Sequence, residues 1–196
     1  MFTLVLNSLL ISLLFTPFGF ILTNKNKKNL DYYSTQLLYG LIILTFIALF
    51  LNFFFPLGKN LNTLLLIIPL IILIKKKEIY FNLQFVIFLL LSTFLISLLI
   101  LESDVYRPDA GLYHLPYINI LNNEKIIIGL SNLHFRFGHT SIIQYTSALS
   151  NNFLLKDNGI NFPSALIASS VIINFVSNLN KRLKEKNFDL YFFVTL

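Results

Sequence analysis

The chain has 196 residues, 56% of them hydrophobic and 12% charged, with a net charge of +6 and a mean hydropathy of +0.73. A soluble domain carries about 25% charged residues, so the apolar excess must face something other than water, and the composition reads as that of a membrane protein. Apolar runs exclude a disordered or collagen-like chain, and the absence of cysteine excludes a disulfide scaffold, thiolate catalysis and cysteine-ligated zinc.

A bilayer core of about 30 Å needs about 20 predominantly apolar residues per helix. Phe2 to Leu22 and Gln36 to Leu57 meet that requirement without a charge, the second ending in the turn signal Pro56-Leu57-Gly58-Lys59-Asn60. The third stretch, Leu61 to Ile74, is short and contains Pro69. It reads either as re-entrant or as a crossing of a thinned bilayer, with Lys75, Lys76 and Lys77 snorkelling and Tyr80 in the interface. Asn82 to Leu101 and Gly159 to Asn180 are charge-free throughout, and Phe188 to Leu196 starts a further apolar run that is too short to cross alone. The expectation is an all-α, polytopic transmembrane helical protein of about five spans plus the start of a sixth, with a large outer loop containing short interfacial helices. Its parts are a four-helix transmembrane region over 1–101, an extracytoplasmic loop over 102–158, and a fifth helix with the start of a sixth over 159–196. The unfinished last run suggests the N-terminal part of something longer.

Basic residues fix the expected direction, because the cytoplasmic side retains Lys and Arg. Lys25, Lys27, Lys28, Lys75, Lys76, Lys77, Lys181, Arg182, Lys184 and Lys186 fall on one face if all five stretches cross. Lys59, Arg107, Lys125, Arg136 and Lys156 fall on the other, opposed there by Glu102, Asp104, Asp109, Glu124 and Asp157. The pI of 9.5 is therefore topogenic, and short lysine clusters between spans do not make a nucleic-acid surface. The N-terminus and residues 102–158 are placed outside. The first run lacks the basic n-region and A-x-A-like site of a removed signal peptide.

Polar chemistry concentrates in that outer segment, which holds all three histidines. Glu102 and Asp104 leave the fourth span in an acidic stretch that reads equally as a solvated flank. Asp109 lies between Pro108 and a glycine-containing bend, where a carboxylate can serve as a general base or metal ligand. Ala110 to Leu121 is apolar and aromatic and suits a short interfacial helix. Ile126-Ile127-Ile128 is strand-like, and Ile142, Tyr145, Leu149 and Phe153 recur at helical spacing in a second surface or buried helix. His114, His134 and His139 have neither i,i+4 nor H-E-x-x-H spacing, so they read as hydrogen-bond donors rather than zinc ligands. Arg136, flanked by His134 and His139, reads as a phosphate-binding group or as a lipid headgroup contact. No glycine-rich nucleotide loop and no G-x-S-x-G elbow is present.

Asp109-Ala110-Gly111-Leu112-Tyr113-His114, followed by Gly129-Leu130-Ser131-Asn132-Leu133-His134-Phe135-Arg136 and Ser141, resembles a family of bacterial polytopic membrane proteins. That family carries D-x-G-L-Y-H and then G-L-x-N-L-H-x-R before a helix, and it is similar to the GT-C glycosyltransferases. The resemblance implies a multi-pass protein of the bacterial inner (cytoplasmic) membrane that takes sugar from a polyprenyl-phosphate carrier at the outer face. It implies catalytic roles for Asp109 and His114 and substrate-binding roles for Asp104, Tyr113, Asn132, His134 and Arg136. The implied partners are membrane lipid and a polyprenyl-phosphate sugar, with no nucleic acid, and the one candidate cofactor is a divalent metal at Asp109. In most GT-C enzymes the acidic loop follows the first span, whereas here it follows the fourth. The competing expectation is a non-enzymatic transporter or structural membrane subunit whose outer loop binds a partner. Charge-free spans speak against ion coupling but suit a scaffold.

Overall fold

The computed structural model describes residues 2–23, 29–76, 82–102, 109–139, 141–186 and 189. The helices are α1 (Phe2–Gly19), α2 (Leu30–Asn52), α3 (Lys59–Leu65), α4 (Ile67–Lys75), α5 (Leu83–Leu101), α6 (Leu115–Asn123), α7 (Ile143–Ser150) and α8 (Phe162–Glu185), linked by turns. Four of them, α1, α2, α5 and α8, are long and apolar enough to cross a bilayer. No strand occurs among the described residues, and the final apolar run falls almost wholly outside them. The isoleucines at 126–128 form a link that ends in a turn at Ile128, and the Ile126 N–H bonds the Asn52 carbonyl at 2.9 Å. A helix C-terminus leaves carbonyls in need of donors, and that requirement outweighs the β propensity of three residues without a partner strand.

The long helices pack through small side chains. A Cβ on Gly40 would overlap the Phe15 carbonyl, and one on Gly19 the Gln36 carbonyl, so α1 and α2 run antiparallel with their backbones touching. Ser8 of α1 meets Ser97 of α5, Oγ to Oγ, at 3.3 Å, and Ser169 of α8 donates to the Ser92 carbonyl of α5 at 3.4 Å. Between helices in lipid there is no water to expel, so close approach and hydrogen bonding supply the attraction. At one end of the bundle Tyr33 packs on Phe85 with ring centroids 5.1 Å apart and accepts from Asn82 at 2.8 Å. Lys76 caps that end by donating to the Phe20 carbonyl at 3.1 Å. Asn174 of α8 reaches the first turn of α2, bonding Ser34 and Thr35 at 3.3 Å, so the basic last turns of α8 run on past the start of α2.

The short third stretch is two helices hinged at Leu66. Pro69 cannot donate to the Leu65 carbonyl and its ring collides with it, so the helix stops and restarts at Ile67, where Pro69 sits harmlessly in a first turn. The pair still reaches from one end of the bundle to the other. Asn62 is bonded near Leu57 at one end, and Lys76 lies against Phe20 at the opposite end. Its 59–75 run measures ~25 Å at helical rise.

Much of the segment expected to lie outside is folded into the bundle. Residues 144–150 of α7 are all buried, with α2, α3, α6 and α8 around them. Thr146 shares a hydrogen bond with Thr45, about two turns before the end of α2. Asparagines hold the entry. Asn62 donates to the carbonyls of Leu57, Ala148 and Asn151 at 2.7, 2.9 and 2.7 Å. Asn122 donates to Leu57 and Ala148 at 2.7 and 3.0 Å and accepts from Asn151 at 2.9 Å. Asn52 reaches the Glu124 carbonyl at 3.0 Å. These amides supply donors that non-helical backbone needs when it leaves water.

Candidate functional site

The site is built on the helix that opens at Asp109. Its first turn, Ala110–His114, is widened, with the Leu115 N–H bonding the Ala110 carbonyl five residues back. The cause is Pro116, which has no N–H for the Leu112 carbonyl and would strike it in a regular turn; widening the turn relieves the collision. The widened turn carries Asp109 at its start and Tyr113 and His114 at its end. Facing it is the 3-10 turn Phe135–His139, which presents Arg136.

Arg136 joins the two segments. Its Nη1 donates to the Asp109 carboxylate at 2.8 Å, with 60% of the Asp109 side chain and 38% of the Arg136 side chain still exposed. The guanidinium lies 5.0 Å from the Tyr113 ring centroid and 5.7 Å from that of Phe135. Two rings and a carboxylate therefore orient a planar fork of donors whose remaining N–H groups can take an oxyanion. Tyr113 packs on His114 at 4.2 Å between centroids. His134 stacks on Phe135 at 5.2 Å, and its Nδ1 accepts from the Arg136 backbone N–H at 3.3 Å. An Nδ1 that accepts leaves the proton of a neutral imidazole on Nε2.

Of the residues singled out in the sequence, Asp109, Tyr113, His114, His134 and Arg136 are thus brought together. Asn132 is not: it lies exposed in the 3-10 turn Leu130–Asn132, with its backbone N–H on the Gly129 carbonyl at 2.9 Å. Asp104 lies outside the described residues. Sequence reading passed over Gln144, which is 5% exposed, contacts His114 Nδ1 at 2.6 Å and accepts from the Ser141 N–H at 3.2 Å. The signal for it is Ser141-Ile142-Ile143-Gln144, the S-x-x-Q spacing of a capping box, in which the glutamine reaches back to the N-cap amide.

Behind His134 the Phe137 ring, 5.5 Å from the imidazole, forms one wall of a cavity of about 190 Å³ that Tyr117, Leu121, Lys125, Ser131 and Gly138 also line. The hydroxyl of Tyr117 lies 3.4 Å from that of Tyr145. Burial, and then the Tyr117 hydroxyl, push the Tyr145 hydroxyl above the ordinary tyrosine value of 10.0.

The donor set does not suit a divalent metal. Asp109 is already neutralised by a guanidinium, and no group of three metal-ligating side chains occurs among the described residues. A cation of charge two would have to displace Arg136 and find its other ligands elsewhere.

No curated protein and no solved structure matches the chain. Residues 1–196 match, in full, a family described as a domain of unknown function (DUF8201), and the chain belongs to that family.

Proposed function

We propose that this chain is a multi-pass protein of the bacterial inner membrane, similar to GT-C glycosyltransferases, that handles a polyprenyl-phosphate-linked sugar at the outer face. In this reading α1, α2, the α3–α4 pair, α5 and α8 make five crossings, the α3–α4 pair spanning where the bilayer thins. Lys75, Lys76, Lys181, Arg182, Lys184 and Lys186 lie on the inner side, as the distribution of basic residues requires. The polar cluster then faces outward at the level of the headgroups.

One observation carries the reading: Arg136, set between the Tyr113 and Phe135 rings and bonded to Asp109, beside two histidines. That is a donor array for a phosphate, built from residues 27 positions apart in the chain. In the transfer, the bond from the anomeric carbon to the carrier phosphate oxygen breaks and a bond to the acceptor hydroxyl oxygen forms. The hydroxyl proton passes to the Asp109 carboxylate, the Arg136 guanidinium offsets the charge of the departing phosphate, and His134 and His114 donate hydrogen bonds to it. The cavity behind Phe137 has room for one ring-sized group.

The test pairs binding with glycan assembly. Polyprenyl phosphate in vesicles should bind more tightly than the matching polyprenol, and Arg136→Gln should abolish that preference. Asp109→Asn should leave phosphate binding largely intact and remove glycan assembly in cells. A correctly inserted Asp109→Asn protein that supports normal assembly would overturn the catalytic role. Leu112, Leu133 and Phe135, exposed by 64, 79 and 68% around Arg136, favour a second reading, a non-enzymatic subunit whose outer surface docks a partner. On that reading Arg136→Gln would lose the partner and leave phosphate binding unchanged.

A further inference from the structure

We propose that Gln144 is a positioning residue that locks His114 in the Nε2-protonated tautomer, so that His114 meets its ligand as a hydrogen-bond donor and not as a base. The tautomer follows from geometry alone; its use toward an anionic ligand rests on the reading above.

The Ser141 backbone N–H can only donate, and it lies 3.2 Å from Gln144 Oε1. This fixes which end of the amide is oxygen, a choice that otherwise has to be inferred from surroundings. The other end, Nε2, is therefore the NH₂ group, and it lies 2.6 Å from His114 Nδ1. An NH₂ group has no lone pair to offer, so Nδ1 must be the acceptor and the imidazole proton sits on Nε2. Gln144 itself cannot turn away, because it is 5% exposed and belongs to the buried α7. His134 reaches the same state by another route, its Nδ1 taking the Arg136 backbone N–H. Both histidines then carry their proton on Nε2 and serve an anionic ligand as donors, which leaves proton abstraction to Asp109.

The experiment is ¹⁵N NMR of the full chain in nanodiscs with ¹⁵N-labelled histidine, assigned by the signals lost in His114→Gln. The expected spectrum has a pyridine-type shift at His114 Nδ1 and a pyrrole-type shift at Nε2. Gln144→Glu replaces the donor by a carboxylate that accepts from Nδ1–H, and should turn Nδ1 pyrrole-type, as the other tautomer or as an imidazolium. The native spectrum needs no variant, so a Gln144→Glu protein that fails to fold leaves the inference exposed to test. A pyrrole-type Nδ1 in the native protein, or a folded Gln144→Glu with an unchanged tautomer, would overturn it. Failure of phosphate binding with the native tautomer as stated would count against the lipid-carrier reading and leave the Gln144 assignment standing.

Discussion

The side-chain amide of Asn62 donates to the Asn151 carbonyl at 2.7 Å, joining residues 89 apart in the chain. The same NH₂ serves Leu57 and Ala148, so one side chain pins the start of α3 to the end of α7. Asn62→Ala would leave the Asn151 carbonyl short of this donor in a part-buried setting. A loss of about 1–3 kcal/mol is expected, read as a lowered thermal midpoint in detergent. Asn60→Ala, at an exposed neighbour, should stay within about 0.5 kcal/mol. Equal effects of the two would show that the Asn62 bonds contribute nothing net.

Gly40→Ala tests the α1–α2 contact. The added methyl has no room against the Phe15 backbone, so the helices must separate. We expect a destabilisation of about 1–3 kcal/mol from overpacking. Disulfide trapping between cysteines introduced on facing turns of the two helices should slow in parallel; undiminished trapping and stability would contradict the close packing.

Tyr145 predicts an alkaline limb of the stability curve. Its hydroxyl is held above the tyrosine value of 10.0 by burial, whereas the unfolded chain ionises near that value. The folded-state value is raised, so the stabilisation is complete below pH ~10 and is lost as pH climbs from there toward the folded value. Native protein should lose up to about 1.4 kcal/mol more per pH unit above pH ~10 than Tyr145→Phe does, measured by denaturant unfolding at successive pH values. Parallel slopes for the two proteins would show that Tyr145 is not shielded.

The Asp109–Arg136 pair should matter far more to ligand than to fold. Half-exposed pairs contribute at most about 1 kcal/mol, so Asp109→Asn should barely move the thermal midpoint. Arg136→Lys keeps the charge but loses the planar fork and the ring contacts, and should weaken polyprenyl-phosphate binding by tenfold or more. Binding in Arg136→Lys that equals the native level would reduce the array to a point charge.

Long helices were legible because a charge-free apolar run of 20 residues has few other ways to satisfy its backbone. The hinge at Leu66 was legible in part, through Pro69. Gathering of Asp109, His114, His134 and Arg136 was readable only as a resemblance between two short motifs, since nothing in their spacing brings position 136 to 109. The asparagines are not legible in the sequence: an amide that caps distant carbonyls looks, in one dimension, like any other asparagine. Gln144 was hidden likewise, although Ser141 three residues earlier offered a local clue. Burial of α7 was left open between surface and interior because its partners, Thr45 among them, come from about a hundred residues away.

The placing of α7 has a consequence for biogenesis. Its seat has one wall from α2, early in the chain, and another from α8, made later, with Gly159 pressed so near the Ser150 carbonyl that no side chain fits between. The stretch between α5 and α8 therefore cannot take its full seat until α8 has been made. Chains halted before α8 would leave α7 open to proteases on that side, and the making of α8 is the event that closes its seat.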